Sequence, residues 1–222
     1  MPYEIISTGS KGNCIIFNHN IMLDCGISYT KVKPYLKDMD LIFISHRHSD
    51  HLNGTTIKQI SYNYPTIKFV CNIEVASFLE LLGVQKKNIW LLYEGRWYDI
   101  GFAKIKLDKL VHDAHNSSFQ IEYRKKYKMI YITDTGSIPE YIDAKNYDLY
   151  LVEANYKSKE EYEQKIKEAL EKGEYTYLVR AIETHLCEED AIDWLKQNMS
   201  DESQFQFIHM HEEKESEVEY GH

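Results

Sequence analysis

The segment His46-Arg47-His48-Ser49-Asp50-His51 constrains this chain more than any other. It follows the apolar run Leu41-Ile42-Phe43-Ile44 and precedes Leu52-Asn53-Gly54, a pattern that predicts a buried strand ending in a tight turn. Side chains that leave a strand end together converge on one point in space. Imidazole nitrogens suit Zn, Mn or Fe, and carboxylate oxygens suit the harder of these ions. Three histidines and one aspartate within six residues therefore supply donors to two adjacent divalent cations.

Two such cations need further donors, because each takes roughly four to six ligands including water. Candidates elsewhere are His112-Asp113, Asp134 within Ile132-Thr133-Asp134-Thr135-Gly136, His185 within Glu183-Thr184-His185-Leu186, and His209 within Phe207-Ile208-His209-Met210-His211. Three of these follow β-like runs, over 105–111, 129–133 and 205–208. Those runs predict that the candidates sit at strand ends on the same rim as the first cluster.

The periodicities predict strands over 4–7, 14–18, 22–24, 41–45, 68–71, 103–111, 119–123, 128–133, 150–153 and 204–209. They predict helices over 30–36, 55–63, 74–82, 159–171 and 188–197. Interspersed elements in these numbers suit an α/β fold of four layers, an αββα sandwich with its site at one edge of two sheets. At 222 residues the chain is long enough for one such domain and short for two. Residues 1–211 are read as that domain and 212–222 as an acidic C-terminal tail. No basic stretch followed by an apolar one opens the chain, and no apolar run approaches ~20 residues. Cys14, Cys25, Cys71 and Cys187 lack C-x-x-C spacing and read as reduced, buried thiols. The expectation is a cytoplasmic protein without a membrane span, with a homodimer as the assembly to look for.

The motifs in order resemble those of metallo-β-lactamase-fold hydrolases. Asp24 in Ile21-Met22-Leu23-Asp24-Cys25-Gly26 is similar to the family's first motif, a carboxylate behind the ligands, and the 46–51 cluster is similar to the second. His112, Asp134 and His209 resemble the third, fourth and fifth. The opening Ser7-Thr8-Gly9-Ser10-Lys11-Gly12-Asn13-Cys14 resembles that of YycJ-like nucleases. So do Val111-His112-Asp113-Ala114 and the segment from Thr184 to Ala191. These belong to the phosphodiesterase branch, which also holds the tRNA 3′-processing endonucleases. Two stretches depart from the relatives: His115-Asn116-Ser117-Ser118 replaces a Pro-Gly turn, and His211-Glu212-Glu213 replaces a Ser-containing polar segment.

The resemblance implies two divalent metal ions, Zn or Mn. It places His46, His48 and His112 on one, Asp50, His51 and His209 on the other, and Asp134 between them. A hydroxide bridging the two ions is the implied nucleophile. His185 is the implied phosphate-facing catalytic residue, Asp50 a second catalytic candidate, and Asp24 the orienting carboxylate behind a ligating histidine. Ser10, Asn13, His115 and His211 are candidate substrate contacts.

Charge bears on the substrate. The chain carries a formal net charge of −9, and its basic residues concentrate in Lys104, Lys106, Lys109, Arg124, Lys125, Lys126 and Lys128. Nucleic acid binds largely through neutralisation of its phosphates, so an acidic chain needs its cations clustered. Arg124-Lys125-Lys126-Tyr127-Lys128 reads most simply as a solvated hairpin turn. No Gly/Pro-rich insertion offers a tRNA-gripping arm. The expected function is a dinuclear metal-dependent hydrolase of phosphodiesters in DNA or RNA. A small cyclic-nucleotide phosphodiesterase and a glyoxalase II-like thioesterase stay open as alternatives. Oxygen reduction is disfavoured because a flavodiiron site has a carboxylate where His48 stands. β-Lactam hydrolysis is disfavoured because β-lactamases usually lack the bridging carboxylate assigned to Asp134.

Overall fold

A computed structural model of the chain describes residues 3–173 and 178–210, so His211 and the acidic 212–222 tail lie outside the described residues. The first sheet runs in chain order: β1 (Tyr3–Ser7), β2 (Cys14–Phe17), β3 (Ile21–Leu23), β4 (Leu41–Ile44), β5 (Lys68–Cys71) and β6 (Ile89–Leu91). β1 to β3 pair antiparallel, and β3 to β6 pair parallel. The second sheet holds β7 (Trp97–Asp99), β8 (Ala103–Lys109), β9 (Ser117–Tyr123), β10 (Tyr127–Ile132), β11 (Leu149–Glu153) and β12 (Gln204–Ile208), again in chain order. β7 to β10 are antiparallel, and β10, β11 and β12 are parallel.

Alternation along the strands sets the layers. In β4, Leu41 and Phe43 face the second sheet while Ile42 and Ile44 face the helices, and all four are buried. A strand covered on both faces is apolar throughout, as this one is. Ile15, Phe17, Leu23 and Phe43 meet Ile105, Phe119, Met129 and Leu151 between the sheets. Phe43 and Phe119 lie edge to face with centroids 4.9 Å apart, a geometry that adds about 0.5–1.5 kcal/mol beyond burial.

Outside the first sheet pack α1 (Tyr29–Val32), α2 (Gly54–Asn63) and α3 (Ile73–Leu81), through Val32, Ile57, Ile60, Val75 and Leu79. Asn53 and Asn72 cap α2 and α3 by accepting the N–H groups of Thr56 and Val75, each satisfying one of the free donors of a helix start. On the far side come α4 (Lys159–Glu171), α5 (Leu178–Thr184) and α6 (Glu188–Asn198). α6 covers the second sheet through Ala191 and Leu195, against Ile130, Ile132, Tyr150 and Val152. This is the four-layer αββα sandwich that the element pattern predicts.

Some elements differ from expectation. The 30–36 helix gives way after α1 to a 3₁₀ segment, Lys33–Asp38, because Pro34 has no N–H to continue the α-helical ladder. β6, β7 and α5 are too short or too mixed in pattern to read from periodicity. The basic 124–126 stretch is a hairpin turn between β9 and β10, with Arg124 and Lys125 at φ 50° and 56°. No helix among the described residues is long and apolar enough to cross a membrane.

Candidate metal centre

The parallel strands β3 and β4 end side by side, and the loops that follow them build the floor of the centre. Asp24 comes directly after β3 in the left-handed region, φ 57°, and its N–H donates to the Phe43 carbonyl at 2.8 Å. That turn buries the Asp24 carboxylate completely. It accepts from the Ser45 N–H at 2.8 Å, the Ser45 hydroxyl at 2.9 Å, His51 Nδ1 at 2.7 Å and the Tyr131 hydroxyl at 2.7 Å. Four donors to one buried carboxylate fix the His51 ring with Nε2 facing away from Asp24.

The next two residues lock the histidine turn to this floor. Cys25 donates to the His51 carbonyl at 2.8 Å, and its own carbonyl accepts from the Asn53 N–H at 2.9 Å. Gly26 permits the approach: a Cβ there would stand 1.6 Å from the Asp50 carbonyl oxygen, so no other residue fits.

Asp134 occupies the middle. It follows β10 with φ 48°, its turn held by Asn116 Nδ2, which donates to the Thr133 and Asp134 carbonyls at 2.7 Å each. Asp134 Oδ2 lies 3.8 Å from His46 Nε2 and 3.9 Å from His112 Nε2. Its Oδ1 lies 3.2 Å from His51 Nε2 and 3.6 Å from His209 Nε2. Asp50 Oδ2 stands 3.4 Å from both His51 Nε2 and His209 Nε2. His48 Nδ1 is 3.3 Å from His112 Nε2. The donor atoms thus gather as His46, His48, His112 and Asp134, as Asp50, His51, Asp134 and His209, and as Asp134, Glu153, His185 and His209, each set within 4.8 Å. Asp134 belongs to all three.

Protonation follows from these neighbours. Burial, and then the imidazoles of His51, His112 and His48, hold His46 well below the usual imidazole range despite Asp134. His46 Nδ1 lies 3.1 Å from the Ser45 hydroxyl, whereas its buried Nε2 has no hydrogen-bond partner among the described residues. An unpartnered lone pair that faces a carboxylate and two more imidazoles fits a cation better than any protein donor. On the other side, burial opposes charge on His51 and His209, yet the carboxylates win. Asp134 and Asp24 hold His51 well above its ordinary range, and Asp134, Asp50 and Glu153 lift His209 to about 10. Burial likewise disfavours an ionised Asp134, and His51, His209 and His46 hold its carboxyl well below the usual range. Carboxylates that draw positive charge to this degree, beside imidazole nitrogens, form a donor set suited to divalent metal.

The structure therefore brings together His46, His48, Asp50, His51, His112, Asp134 and His209, with Asp24 behind them. His185 joins them on the far wall, its Nδ1 2.6 Å from Glu153 Oε1. A cavity of about 260 Å³ opens over the cluster, lined by Ser10, His48, Asp50, His112, Asp134, Arg180, Ala181, Thr184, His185 and His209.

Two expected substrate contacts lie elsewhere. Asn13 is buried and braces the loop before β2: it accepts from the Gly9 N–H at 2.9 Å, donates toward the Asp50 carbonyl at 3.3 Å and sits 3.0 Å from His51 Nε2. His115 turns away to pair with Glu94, while its N–H donates to Glu74. Neither lines the cavity; hydrogen bonds of their own loops aim them.

Sequence reasoning misses Glu153. Fully buried at the end of β11, it accepts through Oε2 from the N–H groups of Thr135 at 2.9 Å and Leu186 at 3.2 Å. Its Oε1 faces Nδ1 of both His185, at 2.6 Å, and His209, at 3.3 Å. Burial disfavours its ionised form, but His185 and His209 hold the carboxyl below the usual range. A glutamate ending the buried strand Leu-Tyr-Leu-Val-Glu is the available signal, because a lone acid there needs partners.

Comparison with known proteins extends this geometry. The chain is similar to the exodeoxyribonuclease WalJ of Streptococcus pneumoniae serotype 2, 27% identical over 169 residues, which cover 69% of this chain and 62% of that protein. It thus spans under two thirds of the pneumococcal relative's length. The exodeoxyribonuclease YycJ of Bacillus anthracis is 21% identical over 226 residues, covering 94% of this chain and 81% of that one. The solved structure of human tRNase Z, short form, matches with a TM-score of 0.69 at 15% identity, covering 95% of this chain and 92% of that chain; the likeness is one of fold. Residues 19–210 match the family described as the β-lactamase superfamily domain, and the chain belongs to that family, with the metallo-β-lactamase fold.

Proposed function

We propose that this protein is a metal-dependent phosphodiester hydrolase that acts on nucleic acid and holds two divalent ions, Zn or Mn. The observation that carries the reading is Asp134, whose two carboxylate oxygens serve two separate sets of imidazoles. Support for the substrate class comes from the relatives, which are exodeoxyribonucleases.

In this reading His46, His48 and His112 would hold one ion and Asp50, His51 and His209 the other, with Asp134 available to both. When bound, such a pair activates water and neutralises charge on a phosphate. The chain's own residues do the rest. Asp24 holds His51 with Nε2 toward the centre, and Glu153 does the same for His209. Glu153 also takes Nδ1 of His185, leaving the other edge of that ring for the cavity that it lines. Burial lowers the basicity of His185, but the Glu153 contact raises it above the ordinary imidazole value, which suits it to give a proton to the leaving oxygen. Positioned general acids of this kind contribute roughly 10²–10⁴ in rate. Asp50, at the cavity wall, orients the attacking water beside its ligand role.

The test is to incubate metal-loaded protein with single-stranded DNA, duplex DNA, RNA, cyclic nucleotides and thioesters. Hydrolysis of a nucleic acid strand supports the reading; turnover of cyclic nucleotides or thioesters alone overturns it. In parallel, His185→Ala keeps its metal and loses most turnover, whereas His209→Ala loses one ion. The opposite pattern exchanges the two roles.

A further inference from the structure

Ten residues line the cavity above the centre, and Arg180 alone among them is a lysine or arginine. It stands on α5, where its carbonyl accepts from the Thr184 hydroxyl at 2.8 Å, one turn before His185. Nη2 of its guanidinium donates to Asp113 Oδ2. The other oxygen of Asp113 lies 3.2 Å from His112 Nε2 and 3.5 Å from His48 Nε2. Asp113 therefore ties Arg180 to the His48–His112 edge of the cluster. The Arg180 side chain is nevertheless 65% exposed, so the rest of its fork of N–H donors is open to the cavity and to solvent.

The metal ligands account for one phosphate. A nucleic acid strand carries another at each neighbouring nucleotide, and a chain of net charge −9 has little general attraction for it. A guanidinium suits that task because its planar donors match two phosphate oxygens at once. An exposed ion pair with no further role stabilises a fold very little, and here it stands at the cavity wall.

We propose that Arg180, oriented by Asp113, forms a subsite for the phosphate adjacent to the scissile one, so that the protein selects strands with consecutive phosphates over isolated diesters. The proposal rests on the phosphodiesterase reading above and adds the residue that reads the strand.

The experiment compares dithymidylate with its 5′-phosphorylated and 3′-phosphorylated forms, using metal-loaded wild type, Arg180→Gln and Arg180→Lys. In the wild type a terminal phosphate on one end raises kcat/KM roughly 10–100-fold, mainly through KM. Arg180→Gln abolishes that gain. Arg180→Lys keeps part of it, because a point charge remains without the fork. A gain of equal size in wild type and Arg180→Gln, or no gain from either phosphate, overturns the proposal. A second readout needs no turnover: binding of a fluorescent single-stranded oligonucleotide against salt, in the His185→Ala background. Arg180→Gln lowers the slope of log K against log salt by about 0.7, one single-strand phosphate contact; an unchanged slope overturns the subsite. Should no diester be cleaved while this slope falls, the hydrolase reading fails and the subsite stands. Cleavage of all three dinucleotides at equal efficiency has the reverse meaning.

Discussion

Replacing Glu153 with Gln changes one atom and inverts the proton pattern of two histidines. Oε2 accepts two backbone N–H groups, from Thr135 and Leu186, and these cannot become acceptors. The amide oxygen must therefore take that position, and the amide NH₂ must face Nδ1 of His185 and His209, where Oε1 now stands 2.6 and 3.3 Å away. Each imidazole then presents a lone pair at Nδ1 and carries its proton on Nε2. A protonated Nε2 cannot ligate metal, so His209 leaves the centre, and metal affinity falls by at least the ~10–100-fold typical of lost ligand support. His185 loses the carboxylate that stabilises its charged form, and kcat falls by roughly 10²–10⁴. Up to four charge-assisted hydrogen bonds become neutral, each weaker by about 1 kcal/mol, for roughly 2–4 kcal/mol of stability. Elemental analysis after dialysis against graded chelator, kinetics at saturating metal and denaturant titration separate the three effects. Wild-type metal affinity together with kcat within a few-fold of wild type refutes the argument.

Asp134→Ala should lower occupancy of both ions together, seen as a fall toward zero rather than toward one in elemental analysis; a variant that keeps one ion at full affinity contradicts the bridging assignment. Tyr131→Phe deletes a 2.7 Å hydrogen bond to the buried Asp24 carboxylate. It should cost roughly 1.5–3 kcal/mol, seen as a fall in Tm of about 3–12 °C. Metal content should be unchanged, since Ser45 and His51 still hold Asp24. Cys14, Cys25, Cys71 and Cys187 are all buried, and burial pushes the thiols up, that of Cys71 to about 12. A thiol-reactive chromogenic disulfide at neutral pH should find none in the folded protein and all four in denaturant.

What could be read without coordinates was chemistry written contiguously. His46, His48, Asp50 and His51 leave the end of one apolar strand, and local rules alone place such residues at one point. Asp134 and His209 were legible for a related reason: each directly follows a β-like run, and parallel strand ends in a sandwich share a rim. The αββα layering was legible too, because both faces of β4 and β11 are apolar and need covering. A motif or a neighbouring ligand does not fix direction. Asn13, named from the opening motif, directs its side chain to Gly9, Asp50 and His51 beneath the cavity, and His115, three residues after His112, turns its ring to Glu94. Glu153 and Arg180 are harder to read. Glu153 shows only as an acid ending a buried strand and Arg180 has no motif around it, and each acquires its role from partners on distant segments: His185 and His209 for Glu153, Asp113 for Arg180. A local pattern specifies which face of a strand or helix a side chain occupies. Which foreign side chain it meets there depends on how β11, α5 and the β8–β9 loop pack together, and only the folded sandwich settles that.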